Sequence, residues 1–299
     1  MFTQETSLVI PTRNRVVCLE KLLKQLHKYK IRFFEKIIVD SSDAKISTQV
    51  KNISKKYTAK YFNTEASTSL QRNYGLRKVS KKNKYVMFLD DDVVFFKNSF
   101  YQMNKTIKKN VMISSFGFNQ IALKNNDIFE KIKNSNFIKS IHLYSSSPGR
   151  VTKGGWHTKI LNVKSDIFVD WIYTTACIYR FQDIKNYRFD ESFGGYGYLE
   201  DLDFSLNLKK NNKKIMISHL AKYSHPTNID RSSFKFGIIE VINRYKIVKK
   251  NHLNKIFFII SVFVRLLYSL LISLLKLNYN YFLRAIGNIS GVFLLIFRK

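Results

Sequence analysis

Several things that usually mark a protein out are scarce in this chain. Its 299 residues include only two cysteines, Cys18 and Cys177, and three prolines. Two cysteines make neither a disulfide framework nor a paired-cysteine zinc site. There is no GxxxxGK[ST] loop, no GxGxxG after the first predicted strand and no GxSxG elbow. A Walker-type phosphotransferase, a dinucleotide dehydrogenase and the usual serine hydrolase are thereby disfavoured. Met1 to Thr6 carry no basic n-region and apolar h-region, so no signal peptide is expected and a reducing cytosolic setting is the default. No repeat or low-complexity tract stands out. After Glu240 there is no acidic residue at all.

What is present is charge of the other sign. Lysine and arginine total 51 against 21 acids, a formal net charge of +30. A polyanionic partner follows: nucleic acid, anionic lipid or a phosphorylated small molecule. Hydrophobic residues make up 45%, which excludes a disordered chain, and the length is ample for a buried core.

Short apolar runs alternate with amphipathic ones through the first third. Ser7 to Ile10 read as a buried strand, and Leu19, Leu22, Leu23 and Leu26 recur at helical spacing. Lys36 to Val39 predict a second strand, residues 45–56 a polar helix, Ala59 to Phe62 a short strand and Thr68 to Val79 another helix. Tyr85 to Leu89 form the strongest strand pattern. Strand and helix in alternation predict a parallel sheet covered by helices. Farther on, Ser145 to Trp156 read as a polar, glycine-containing loop, and Leu199 to Leu208 as a helix.

In such sheets the ligand sits beyond the carboxyl ends of the strands. After the first strand come Pro11, Thr12, Arg13, Asn14 and Arg15; after the second, Asp40 to Asp43; after the strong one, Asp90, Asp91 and Asp92. Basic groups beside an acidic cluster suit an anionic ligand bound through a divalent cation. Adjacent carboxylates repel one another, and a hard cation relieves that repulsion. The plain alternative is an acidic turn that ends a strand. Glu200, Asp201 and Asp203 follow the loop Gly194 to Tyr198. Acids there either complement a helix dipole or hold a general base at a cleft. Arg72 is either a diphosphate clamp or a solvated helix residue. His219 and His225 are alternatives for completing a metal site.

Taken together, these residues resemble family 2 glycosyltransferases of the GT-A fold, of the bacterial cell-surface polysaccharide type. The similar stretches are SLVIPTRNR at 7–15, IIVDSSD at 37–43, STSLQRNYGL at 67–76, YVMFLDDDV at 85–93, VDWIYTTACIYR at 169–180 and RFDESFGGYGYLEDLDFSLNL at 188–208. The resemblance implies an α/β, Rossmann-like mixed and mainly parallel sheet flanked by helices. It implies a hexosyltransferase-like activity with a nucleotide-sugar donor and a glycan or lipid-linked acceptor. By the same resemblance Pro11, Thr12, Arg13 and Arg15 line the nucleotide pocket, and Asp40 bonds the base. Arg72 lies near the base and diphosphate, while Asp90 and Asp91 contact ribose and phosphate. Asp92 is the metal ligand, for Mn2+ or Mg2+, with His225 able to approach the metal and His219 as the alternative. Asp201 is the catalytic base, Glu200 orients the acceptor, and displacement is inverting. Many relatives have tyrosine where Arg13 stands, which bears on the identity of the base.

The organisation expected is a nucleotide-sugar-binding part at 1–110, an acceptor and catalytic part at 111–250 and a basic, apolar tail at 251–299. Within the tail, Ile256 to Leu275 are long enough to span a bilayer. Ser261, Arg265, Ser269, Ser273, Lys276 and Asn280 draw a polar stripe along that helix, which favours an amphipathic helix lying in the interface. Gly291 to Phe297 are a second apolar element. The expected location is cytoplasmic, peripheral on the inner face of the cell membrane, in surface glycan synthesis. A nucleotidyltransferase is one alternative. A basic nucleic-acid-binding protein is the other, but no helix-turn-helix or RNP motif supports it, and no nucleic-acid partner is expected.

Overall fold

The structure, a computed structural model, describes residues 1–122, 136–140, 144–194, 197–226 and 231–297. Gly195 and Tyr196 of the expected glycine loop, and the basic Arg298 and Lys299, lie outside the described residues. The described part opens with β1 (Thr6–Thr12), α1 (Val16–Lys28), β2 (Glu35–Asp40), α2 (Ala44–Lys56), β3 (Lys60–Asn63), α3 (Thr68–Lys78) and β4 (Tyr85–Leu89). Then follow β5 (Val94–Phe95), α4 (Ser99–Lys109), β6 (Ser115–Gln120), β7 (Ile167–Phe168), β8 (Ala176–Arg180), α5 (Glu200–Lys210) and β9 (Ile215–Ser224). Three helices close the chain: α6 (Phe234–Lys250), α7 (Lys255–Leu275) and α8 (Tyr279–Phe297).

The strands form one sheet in the order β3-β2-β1-β4-β8-β6-β9-β5, with β7 also on β9. β1, β2, β3 and β4 are mutually parallel. β8 enters antiparallel between β4 and β6, and β9 runs parallel to β6. Two reversals restore the direction, so β4, β6 and β9 all point the same way. β1 and β4 are buried along their whole length, as central strands covered on both faces must be. On one face α1 packs Leu19, Leu22, Leu23 and Leu26 against Leu8, Ile10, Met87 and Leu89. A methyl group at Gly75 of α3 would collide with Val9, so the helix lies directly on β1.

The chain divides into two compact units, residues 1–123 with 160–226, and 124–159 with 227–299. The first unit holds the sheet. In the second, α6, α7 and α8 pack on one another, and the loop containing Trp156 closes through a Thr152 N–H donating to Trp156 O at 2.7 Å. Along α8, Gly287 abuts the Phe234 carbonyl and Gly291 lies against Val241, while Gly237 of α6 faces the Arg284 carbonyl. Those glycines let α6 and α8 approach backbone to backbone. Of the expected polar stripe, Ser261, Arg265 and Ser269 on α7 face inward, while Lys276 and Asn280, beyond the helix, are exposed. Ser261 and Ser269 are 2% and 1% exposed, whereas Ile259, Phe263 and Leu267 are 65%, 59% and 48% exposed. The helix turns its polar groups toward α6 and α8 because Glu240 sits there, accepting from Arg284 at 2.7 Å with Arg265 at 3.4 Å.

Candidate active site

The carboxyl ends of β1, β2 and β4 lie side by side, because their registers pair Thr12 with Asp40 and Val9 with Phe88. The turn after β1 is tied to the turn after β2. The Asn14 N–H donates to Ser42 Oγ at 2.7 Å, and Asn14 and Asp43 bond reciprocally at 3.0 Å. Asn14 takes a φ of 54°, a left-handed conformation that asparagine tolerates. Asp40 is fully buried and accepts from the Ser42 N–H at 2.9 Å, the Ser47 hydroxyl at 2.9 Å and the Tyr61 hydroxyl at 3.0 Å. Its carboxylate is therefore rigidly held at the end of β2.

The acidic cluster divides into three distinct environments. Asp90 receives Arg72 Nη2 at 2.8 Å. Asp91 is 3% exposed, accepts from the Thr12 hydroxyl at 2.6 Å and lies 3.1 Å from Arg15 Nη1. Burial pushes the Asp91 carboxyl up to about 7; the Thr12 hydroxyl and Arg15 oppose that rise, and the charges of Asp92 and Asp90 add to it. Asp92 bonds the other Arg15 nitrogen and lies 2.9 Å from His225 Nε2. Burial alone would raise Asp92, but His225 and Arg15 outweigh it and hold the carboxyl below its ordinary range. Reciprocally, burial would lower His225, and the Asp92 hydrogen bond and charge prevail to raise it. Arg15 is likewise raised, its desolvation overcome by Asp91 and Asp92.

His225 reaches this cluster through β9. The short strand β5, directly after the acids, pairs antiparallel with the end of β9, Val94 opposite Ser224. Continuing that register sets His225 opposite Val93, next to Asp92 in the chain, and its Nε2 lies 2.9 Å from the Asp92 carboxylate. His219 is elsewhere on β9, its Nδ1 2.7 Å from Asp166. Of the two histidines weighed in the sequence, the acidic cluster meets His225.

Besides Arg72, α3 carries polar groups that the sequence reading passed over. Ser67 caps it, accepting from the Leu70 N–H at 3.4 Å. The amide of Gln71 donates to the carbonyls of Thr12 at 2.9 Å and Val39 at 2.8 Å, pinning the helix to the ends of β1 and β2. Asn73 exchanges two 2.8 Å bonds with the backbone of Phe189. Arg72 is 4% exposed and uses both terminal nitrogens internally, one on Asp90 and one on Glu200. Glu200, 3% exposed, also receives the Ser69 hydroxyl. Ser69, Gln71, Arg72 and Asn73 are all buried and all fall in the stretch STSLQRNYGL, but nothing local in that stretch marks its polar face as buried.

α5 begins with Leu199 at φ 74°, a conformation a bulky residue seldom adopts. A side chain at Gly197, φ 66°, would strike the Glu200 carboxylate. This tight turn delivers Glu200 inward to Arg72. Asp201 is half-buried, its Oδ1 accepting from the Leu202 N–H at 2.8 Å. Pro11 is buried within β1 between the neighbouring strands, and Arg13 is exposed beyond it. Among the described residues, no group of three or more His, Cys, Asp or Glu side chains forms a metal cage. Asp92 and His225 are a pair.

Comparison with known proteins bears on the family and the fold. The model of a family described as Glycosyl transferase family 2 matches residues 7–168. A curated relative from Rickettsia bellii (strain RML369-C), described as an "Uncharacterized glycosyltransferase", is 30% identical over 139 residues, 44% of this chain and 19% of its own length. The chain thus spans about a fifth of the curated relative it matches, 19%. The mannosyltransferase PcManGT from Pyrobaculum calidifontis, solved in complex with GDP-Man and Mn2+, is similar over 96% of this chain and 87% of its own, with a TM-score of 0.55 and 9% identity. Residues 1–349 of S. aureus TarS, in complex with UDP-GlcNAc, are similar over 86% of this chain and 71% of that one, with a TM-score of 0.52 and 17% identity. At such identities the likeness speaks for the fold.

Proposed function

Because this chain belongs to glycosyl transferase family 2, we propose that it moves a sugar from a nucleotide-sugar donor to an acceptor hydroxyl. One observation carries the reading: three strand ends gather Arg15, Asp91, Asp92 and His225 at one edge of the sheet, while Arg72 ties Asp90 to Glu200 at the head of α5. The similar structures bound to GDP-Man and UDP-GlcNAc support a donor of this class.

The donor lies across the ends of β1, β2 and β4. Its base rests by Pro11, Thr12 and Asp40, and its ribose and phosphates by Asp90 and Asp91. Arg13 and Arg15 face the diphosphate, where a guanidinium forms paired hydrogen bonds. Asp92 and His225 offer one carboxylate oxygen and one imidazole nitrogen 2.9 Å apart. That donor set fits Mn2+ or Mg2+, which take their remaining ligands from phosphate and water. When bound, the cation neutralises the diphosphate and improves it as a leaving group.

Asp201 takes the proton from the acceptor hydroxyl as that oxygen attacks the anomeric carbon. One displacement inverts the centre. Glu200, locked by Arg72 and Ser69, orients the acceptor and fixes the start of α5. The acceptor is a glycan or a lipid-linked glycan, in surface glycan synthesis. The enzyme works in the cytoplasm at the inner face of the cell membrane, held there by its basic, apolar C-terminal helices. Titrating the full-length protein with a panel of nucleotide sugars, with and without Mn2+, tests the reading. Cation-dependent binding of one donor, and a product of inverted anomeric configuration by NMR, are expected. Failure to bind any nucleotide sugar overturns it.

A further inference from the structure

The C-terminal helical unit is apolar on its outside, while its interior mixes an apolar cluster of Val241, Val248, Phe258 and Val262 with buried polar groups. The outward stripe of α7 is Ile256, Ile259, Phe263, Leu267, Leu271 and Leu274, each between 42% and 74% exposed. That of α8 is Phe282, Ile286, Ile289 and Phe293, between 37% and 56% exposed. Turned inward are Ser261, Ser269, Arg284 and Asn288, all 3% exposed or less. A helix at a water interface shows the reverse arrangement. Contiguous apolar surface of this extent marks a site of contact with membrane or protein.

Three further observations choose between those two. α6 and α8 meet through Gly237, Gly287 and Gly291, with backbone against backbone. Small residues four apart at a helix interface are how helices pack in hydrocarbon, where apolar side chains gain nothing by leaving lipid. The charges buried among the helices are paired: Arg284 donates to Glu240 at 2.7 Å and Arg265 lies 3.4 Å from the same carboxylate, while the polar Asn288 donates to the Gly237 carbonyl at 3.0 Å. Intramembrane charge is found in that inward, paired form. Finally, Lys246, Lys249, Lys250 and Lys255 crowd the junction of α6 and α7, and no acid follows Glu240 in the sequence. That charge is complementary to an anionic leaflet. The helices have 21 and 19 residues, and so lengths of roughly 31 and 28 Å against about 30 Å of hydrocarbon.

We propose that the outward faces of α7 and α8 are embedded in the acyl chains of an anionic bilayer, with the Glu240 cluster as the polar interior of an integral anchor. The inference rests on the membrane reading above and deepens it from surface attachment to insertion.

The test uses full-length protein reconstituted into phosphatidylcholine vesicles containing phosphatidylglycerol. In a Cys18→Ser background, Phe263→Cys and Phe293→Cys are each labelled with an environment-sensitive dye, and the lipids carry bromine on their acyl chains. Insertion predicts that both dyes are quenched and that the protein floats with vesicles after alkaline carbonate and high-salt washes. A second variant, Phe263→Asp with Phe293→Asp, alters only exposed positions. It is expected to lower vesicle partition at least tenfold with unchanged circular dichroism. Release by salt or carbonate, with the dyes unquenched, overturns insertion and leaves surface attachment standing. Absence of co-flotation overturns both. A stable dimer whose dyes report no lipid assigns the apolar faces to a second copy of the chain and likewise overturns the proposal.

Discussion

Nε2 of His225 lies 2.9 Å from Oδ1 of Asp92, although the two residues are far apart in the sequence. The contact exists because β5 runs back along the end of β9 directly after the acidic cluster. Each partner shifts the other: the Asp92 carboxyl is held low and His225 is raised, in both cases against the opposing effect of burial. Asp92→Ala is expected to abolish cation-dependent donor binding and transfer. Calorimetry with donor, with and without Mn2+, checks this, and unchanged cation dependence in the variant would remove Asp92 from the role.

His225→Ala is expected to weaken the cation dependence without removing it, because the carboxylate remains. His219→Ala, at a residue bonded to Asp166 instead, is expected to leave donor affinity unchanged. An effect of His219→Ala as large as that of His225→Ala would contradict the geometry.

Asp201→Asn preserves shape but cannot accept a proton. Donor binding should persist while turnover falls by about a hundred- to ten-thousand-fold, the usual range for a general base. Near-normal turnover would move the base to Glu200 or Asp203, the neighbouring acids of α5.

Arg72 carries two carboxylates at once, Asp90 and Glu200, from a position 4% exposed. Arg72→Met leaves the Glu200 charge buried with only the Ser69 hydroxyl from α3. Breaking a buried pair by removing one partner costs about 3–5 kcal/mol. Denaturant unfolding should register that loss, and turnover should fall because the start of α5 is no longer fixed. A variant as stable as the parent would show that water replaces the guanidinium at no cost.

The Glu240 carboxyl is lowered from 4.5 to about 2: burial would raise it, but Arg265, Arg284 and Arg244 prevail. An acid lowered on folding contributes stability that is complete above its unfolded value and is lost as pH falls through its folded one. Thermal unfolding of the full chain in detergent should therefore show the helices loosening as pH drops from about 4.5 toward 2. Glu240→Gln, which does not titrate, should lack that acid sensitivity. Parallel acid curves for the two proteins would refute the account.

The sequence by itself determined the strands and helices of the first third and the acids and arginines at their ends. Tyr85–Leu89 is the strand its apolar run predicts, and the polar turns after β1, β2 and β4 share one edge because parallel strands all end on the same side. Local periodicity suffices there, since each element's burial is written in its own residues. Tertiary structure decided the rest. Whether His219 or His225 meets Asp92 depends on β9 pairing in parallel with β6 and on β5 running back along it, neither of which leaves a local pattern. The buried polar face of α3 reads in isolation as a solvated one; only its packing across the ends of β1 and β2 gives Gln71 and Arg72 their partners. The stripe on α7 was legible as a stripe, but its direction was not. A helical period gives the spacing of polar groups and leaves open which side faces outward, and here Glu240, on a different helix, turns it inward.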